Sequence, residues 1–438
     1  MEPAARRPGL AVHSRWILIL AAALMTAGMH YFFRAVIKPA RNAATAARDL
    51  PGGNLSDLYP RWLGARELFL NDRDPYSDEV TADIQRGYFG RALDPKGEND
   101  PVDEQRFAYP LYVVFLLAPT IKLPFESVRT LYNWLAAILS VASVWLWLRA
   151  FGHRRPGLAV VIGGMLLLGN YAVVQALLLQ QPALIVAALI AAAVAATSAG
   201  MFRTAGFTLA LAMIKPQSTA AIAGWLLMWA ASKWNERRSL FISFLTTMAV
   251  MSIGAELLLP GWIWKWRQAL SAYMGYAQTP AYLQIFFGRF GVAIGVLLWI
   301  AAGILCWKIR RKPADSDAFR LASPLILATN LVASPVWHEY DHMFLLPAVL
   351  LVFHWREAFS RLSPLGRSIV RLSAITVGWQ WIAAIAVSTA SLLSPALARS
   401  WQILPWLSLP FSPVPVIAAL IVIARARSLR AQGESQRA

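Results

Sequence analysis

An all-α polytopic membrane protein is the fold this sequence predicts, and three observations predict it. Of 438 residues, 58% are hydrophobic and 15% charged, where a soluble domain carries about a quarter charged residues; mean hydropathy is +0.49. Apolar runs approaching the roughly 20 residues that cross a bilayer recur along the whole chain. Positive charge gathers in alternate connections between those runs. Helices satisfy their own backbone in lipid, so sequences of this kind span membranes as helices.

About twelve spans are expected, in one unit covering residues 1–438. They are Trp16–Val36, Phe125–Leu148, Gly157–Leu168, Ala183–Thr197, Thr204–Ile214, Thr219–Ala231, Leu240–Leu259, Gly291–Trp307, Leu321–Ala333, Met343–Trp355, Leu372–Leu393 and Pro410–Ala424. Arg6, Arg7 and Arg15 precede the first run in the manner of a signal peptide. That run continues through Tyr31-Phe32-Phe33, too long for a typical signal core, so an uncleaved span is expected. Ala108–Leu117 is apolar but short and lies between prolines. Counted as a span it would reverse the sidedness of Arg149–Arg155, so it is read as a helix in the outer interface.

With the N-terminus in the cytoplasm, the inner connections hold 23 basic and six acidic residues, and the outer side holds 18 and 17. This positive-inside pattern puts both termini in the cytoplasm of a cell inner or plasma membrane. It also accounts for the net charge of +18 as topology rather than nucleic-acid binding. The single cysteine, Cys306, excludes an internal disulfide and any paired-cysteine metal site. Pro260–Arg267 carries Trp262, Trp264 and Trp266 and reads as an interfacial anchoring helix.

The longest polar segment, residues 38–106, holds thirteen of the 23 acidic residues and falls outside. Leu58, Trp62, Ala65 and Phe69, joined by Leu63 and Leu70, share a helical face, with Arg61, Arg66 and Glu67 elsewhere. This predicts an amphipathic helix lying on the membrane surface; a second is expected over Asp78–Phe89, and Asp94–Asp103 reads as a polar connection. Asp57 opens the first helix. It suits an N-cap, and it also suits a general base, because a carboxylate fixed beside a membrane is partly desolvated. Asp74, before Pro75 and Tyr76, suits a turn and competes for the base role. Lys215 interrupts apolar sequence between two short expected spans, where a cation is a candidate functional group, with an ion-paired structural lysine as the alternative.

Several motifs then occur in order: Asp57-Leu58-Tyr59; Asp74-Pro75-Tyr76; Phe107-Ala108-Tyr109-Pro110; Gln180-Gln181-Pro182; Ala205-Gly206 with Ile214-Lys215-Pro216; and Ser334-Pro335 with Tyr340-Asp341. Their order and placement resemble glycosyltransferase family 87, of the GT-C type, over about residues 15–425. The chain departs from that pattern at Pro110-Leu111 and Gln180-Gln181. The resemblance implies an inverting transfer from a polyprenyl-phosphate sugar to a hydroxyl on a glycan or glycolipid acceptor. Segment 38–106 would be the catalytic loop and Asp57 the base. Lys215, His338, Tyr340, Asp341, Gln181 and Tyr109 would face the donor, with Asp74, Tyr76, Arg61 and Arg289 as secondary candidates. No cofactor is implied beyond the lipid-linked donor, which is a substrate, and no metal ligand is assigned. Mannose is the sugar implied first, with arabinose or another pentose open.

Two other classes compete. A transporter or flippase needs paired ionisable groups at mid-membrane, whereas here they mostly sit at span ends. His338-Glu339-Tyr340-Asp341-His342 spells the H-E-x-x-H of zinc proteases, but Leu345 and Ala348 stand where a third ligand and its glycine would be sought.

Overall fold

The computed structural model describes residues 12–435 apart from 49, 51, 95–99, 277–280 and 335–336. Glu2, Arg6, Arg7, Pro335, Arg437 and the centre of the Asp94–Asp103 stretch lie outside the described residues. Among those described, every regular element is helical.

Helix α1 (Val12–Phe32) runs through a π-helical turn, Phe33–Ile37, into α2 (Lys38–Ala46). The polar segment therefore begins inside a helix, which runs ten residues beyond the expected end at Val36. Ala-rich sequence with no β-branched run sustains it. Next come α3 (Tyr59–Asn71), α4 (Asp78–Phe89) and α5 (Val113–Leu117). At five residues α5 is about 7.5 Å long and cannot span. The Ser77 side chain starts α4 by accepting from the Val80 amide at 3.2 Å.

Helix α3 differs from the expected surface helix. Leu58, Trp62 and Ala65 are buried as anticipated, but so are Arg61 and Glu67, and Leu70 faces outward. The helix is enclosed by α4, α5 and the 3-10 turn Ala118–Thr120, so it has no free face to lay on lipid. Glu67 tolerates burial by accepting from Arg73 at 2.8 Å and Asn71 at 2.9 Å.

The chain continues through α6 (Phe125–Ala150), α7 (Gly157–Leu168), α8 (Tyr171–Leu179), α9 (Ala183–Ser198), α10 (Phe202–Ala212), α11 (Pro216–Ala231) and α12 (Trp234–Leu258). Then follow α13 (Trp262–Tyr276), α14 (Tyr282–Phe287), α15 (Phe290–Ile309), α16 (Asp317–Ala333) and α17 (Leu346–His354). The chain closes with α18 (Pro364–Leu393), α19 (Pro395–Trp401), α20 (Ser408–Phe411) and α21 (Pro413–Ser435).

Among the described residues six helices are long and apolar enough to cross a membrane: Ser14–Ala46, Phe125–Ala150, Trp234–Leu258, Phe290–Ile309, Pro364–Leu393 and Ser408–Ser428. Each coincides with an expected span. The other six expected spans fall on shorter helices. Gly157–Leu168 forms only half of a pair with α8, bent by 63°. At 16 residues, α9 is about 24 Å long, short of the roughly 30 Å hydrocarbon core. Of these short helices α9, α11 and α16 are the most enclosed, with half or more of their residues buried. Helix α9 packs between α6 and α10 with most of its alanines buried, since small side chains let helices approach. Helix α10 lies tight against α12. A Cβ on Gly206 would stand 2.2 Å from the Leu240 carbonyl oxygen, so glycine is required there.

Candidate active site

The candidate base is placed by a short connection pinned on three sides. The Asn54 amide donates to the Gly87 carbonyl at 3.0 Å, and the Leu55 amide to that of Tyr88 at 3.3 Å. Arg41, on the extended first helix, donates to the Leu55 carbonyl at 2.9 Å. Leu55 adopts a left-handed φ of 50°, a strained conformation two residues before Asp57. The Asp57 amide then donates to the Leu179 carbonyl at 2.9 Å, fastening the connection to the end of α8.

Helix α8 ends because Gln180 is left-handed, with φ 53°. That turn aims the next side chain, Gln181, at Asp57, and its amide donates to one carboxylate oxygen. The Tyr88 hydroxyl donates to the other at 3.3 Å. The N-cap reading is overturned. The N-cap of α3 is Leu58, with no side-chain cap bond, and Arg61 donates instead to the Asp57 main-chain carbonyl. The carboxylate is thus not consumed by the helix start. Asp57 is half-buried and lines a cavity. Burial raises its pKa above the ordinary aspartate value, opposed by Arg61, the Gln181 bond, Arg41 and the Tyr88 bond. Such a carboxylate is a stronger base than a free one.

A second group lines the same cavity. Lys215 Nζ is 2.5 Å from Asp341 Oδ1 and 4.7 Å from the centre of the Tyr340 ring. The lysine is nine-tenths buried, so this partner is what makes its charge tolerable. His338 stacks on Tyr340 with ring centres 5.0 Å apart. Burial lowers the His338 pKa, Asp341 opposes this, and Lys215 lowers it further, which favours a neutral, hydrogen-bonding imidazole. Arg61 lies over the Tyr109 ring at 3.6 Å.

Asp57, Arg61, Tyr109, Gln181, Lys215, His338, Tyr340 and Asp341 all line one cavity of about 690 Å³, within the range of ligand pockets, roughly 300–1,000 Å³. Part of its wall is apolar and includes Ile214, Trp299, Leu331 and Phe344. Trp299 lies at the middle of crossing helix α15.

Three candidates lie elsewhere. Asp74 accepts from the Tyr76 amide at 2.9 Å, as a turn residue does, and pairs with Lys265 at 2.6 Å. The Tyr76 hydroxyl donates to the Tyr109 carbonyl at 2.6 Å, behind the cavity wall. Arg289 is exposed and lies over Phe290.

The zinc-protease reading fails on geometry. His338 precedes a 3-10 segment, Glu339–Leu345, so the two histidines do not share an α-helical face. The His342 Nε2 meets the Leu409 carbonyl at 2.5 Å. Glu339 accepts from Trp406 Nε1 at 2.5 Å and from Gln175. Among the described residues no group of three His, Cys, Asp or Glu is arranged to hold a metal.

Sequence reasoning missed Tyr88, Arg41, Asp103, Arg106 and Tyr273. Tyr88 and Arg41 act at long range on Asp57, and nothing local marks them. Asp103, Arg106 and Tyr273 line the cavity. The aromatic spacing of Trp266, Tyr273 and Tyr276 at helical intervals was the one available signal for the last.

The family model for glycosyltransferase family 87 matches residues 107–335, just over half of the chain. No curated protein matches the chain. The matched region contains Tyr109, Gln181 and Lys215, whereas Asp57 precedes it and His338, Tyr340 and Asp341 follow it.

Proposed function

The chain belongs to glycosyltransferase family 87, and from that premise we propose that it moves a sugar, mannose first among candidates, from a polyprenyl-phosphate donor to a hydroxyl acceptor. Membership makes it a glycosyltransferase, and its apolar helices make it a membrane protein. The observation that carries the finer reading is the Asp57 carboxylate, left uncapped and gripped by Gln181 and Tyr88 at the wall of the cavity.

In the proposed reaction the acceptor oxygen forms a bond to the anomeric carbon as the bond from that carbon to the phosphate oxygen breaks. The bonding pair leaves with polyprenyl phosphate, the configuration inverts, and Asp57 takes the acceptor's proton. A general base of this kind contributes about 10²–10⁴ in rate. Lys215 supplies positive charge to the leaving phosphate, shared with Asp341, and His338 a hydrogen bond. A lipid-linked donor is supported by the apolar wall containing Trp299, Leu331 and Phe344, which suits a polyprenyl chain beside a polar head.

In this reading both termini are cytoplasmic, the cavity faces the outer leaflet of the plasma membrane, and segment 38–106 is the catalytic loop. With the bent pair α7–α8 and α17, the short helices α9, α10, α11 and α16 complete a GT-C-like arrangement of about twelve crossings. Being encased in protein, they need not match the full hydrocarbon thickness.

The test is transfer by membranes carrying the protein, supplied with a panel of polyprenyl-phospho-sugars and read by product mass. One donor is expected to yield glycosylated acceptor and free polyprenyl phosphate. Transfer from a nucleotide sugar, with none from any lipid monophosphosugar, would overturn the donor assignment.

A further inference from the structure

Helix α13 has two aromatic faces with different surroundings. Ile263 and Trp264 point outward and are more than half exposed, as an interfacial anchor requires. Trp266, Leu270, Tyr273 and Tyr276 line the cavity, on the side of the helix away from Trp264. The helix is fixed in this orientation by the Lys265–Asp74 ion pair and by Trp262, buried against Tyr112 with ring centres 5.8 Å apart. Tyr273 and Tyr276 are only partly covered, and their rings meet edge to face at 5.5 Å. Their faces are therefore not spent on anchoring the helix.

Near this stripe the same cavity is also lined by Asp103, Gln105 and Arg106. Asp103 accepts from the Gln105 amide at 3.1 Å and its side chain at 2.8 Å, and Gln105 has a left-handed φ of 55°. Arg106 is already held by Asp78 at 2.8 Å and by Glu104, and Arg61, whose charge also reaches Tyr273, donates to the Asp57 main-chain carbonyl and lies over the Tyr109 ring. The Tyr273 hydroxyl feels Asp103, Asp57 and Asp341. With burial as the leading cause, its pKa is pushed up to about 12, which keeps it a neutral donor between the candidate base and the Asp103 side.

We propose that the α13 stripe centred on Tyr273, with Asp103 beside it, is the acceptor subsite, and that it takes a neutral sugar ring. The inference rests on reading this cavity as the site of sugar transfer. A sugar offers an apolar C–H face and an edge of hydroxyls, which match an aromatic platform beside a carboxylate and an amide. A phosphorylated acceptor is disfavoured here by Asp103 and Asp57 and is better served by the Lys215–His338 side. The arrangement divides the cavity into a cation-bearing half for the donor phosphate and a polyol-binding half beside the base.

The experiment uses the full-length protein in nanodiscs and two readouts. In initial-rate kinetics, Tyr273→Ala is expected to raise KM for the sugar acceptor tenfold or more while KM for the donor moves less than threefold. Tyr273→Phe, which keeps the ring and the fold, is expected to recover most of that loss. Equal effects on both substrates, or none on the acceptor, overturn the subsite. In parallel, saturation-transfer NMR with methyl α-mannopyranoside and methyl arabinofuranoside is read without donor. At least one glycoside is expected to bind wild type and Asp57→Asn, and to lose its signal with Tyr273→Ala. Tyr273-dependent glycoside binding in a protein that transfers nothing would sink the transferase reading and leave the subsite standing. Absence of any Tyr273-dependent signal in a protein that does transfer would sink the subsite alone.

Discussion

Asp57→Asn isolates the base with little structural disturbance. The amide keeps the carboxylate's shape. Its oxygen can still accept from Gln181, and its nitrogen can donate to Tyr88 where the acid accepted. Folding stability should therefore change by no more than about 1 kcal/mol. Proton transfer by a positioned side chain contributes about 10²–10⁴ in rate, which is roughly 2.7–5.4 kcal/mol of barrier. The upper half of that range is expected, because the other carboxylates in the cavity are engaged. Asp341 pairs with Lys215 at 2.5 Å, and Asp103 holds Gln105. The assay is initial transfer from a labelled polyprenyl-phospho-sugar at saturating acceptor, with donor KM measured alongside. A rate within tenfold of wild type, in protein that folds normally, would refute Asp57 as the base.

Three further outcomes follow from the same geometry. Gln181→Leu removes a hydrogen bond that favours ionised Asp57 and so raises the Asp57 pKa further; because the base acts only when ionised, the acid limb of kcat/KM should move to higher pH, with activity recovering on the alkaline side. Lys215→Met strands the largely buried Asp341 carboxylate and should destabilise by about 3–5 kcal/mol; Lys215→Met with Asp341→Asn should recover most of the thermal stability in detergent but not the activity. Gly206→Ala places a methyl 2.2 Å from the Leu240 carbonyl oxygen. It should lower thermal stability by about 1–3 kcal/mol through separation of α10 and α12, and an unchanged melting temperature would contradict that packing.

Much of the architecture was legible because its causes are local. Six of the apolar runs coincide with the helices, among the described residues, that are able to cross a membrane, and the helix expected over Asp78–Phe89 is α4. Helical spacing found α3 but misjudged its surroundings. Periodicity says which residues share a face, not that Arg61 and Glu67 would be enclosed with partners of their own. The short apolar runs near Gly157, Ala183 and Thr204 were read as spans on hydropathy alone. Their lengths as folded were set by the breaks at Gly169-Asn170, Gly200 and Met213–Lys215.

The candidate site divides along the same line. Composition and charge alone make the chain a membrane protein with a polar segment after its first span, and the family resemblance points to eight side chains that line one cavity. What those side chains do to each other follows from the folded arrangement. Gln181 lies 124 residues from the aspartate it holds, Lys215 lies 126 from Asp341, and Tyr88 lies 31 from Asp57. Whether Asp57 caps a helix or faces a cavity depends on those distant donors, and no local pattern carries that information. Hydropathy and periodicity report the free energy of a residue against its immediate solvent, whereas charge and proton affinity are set by neighbours that folding alone brings within about 3 Å.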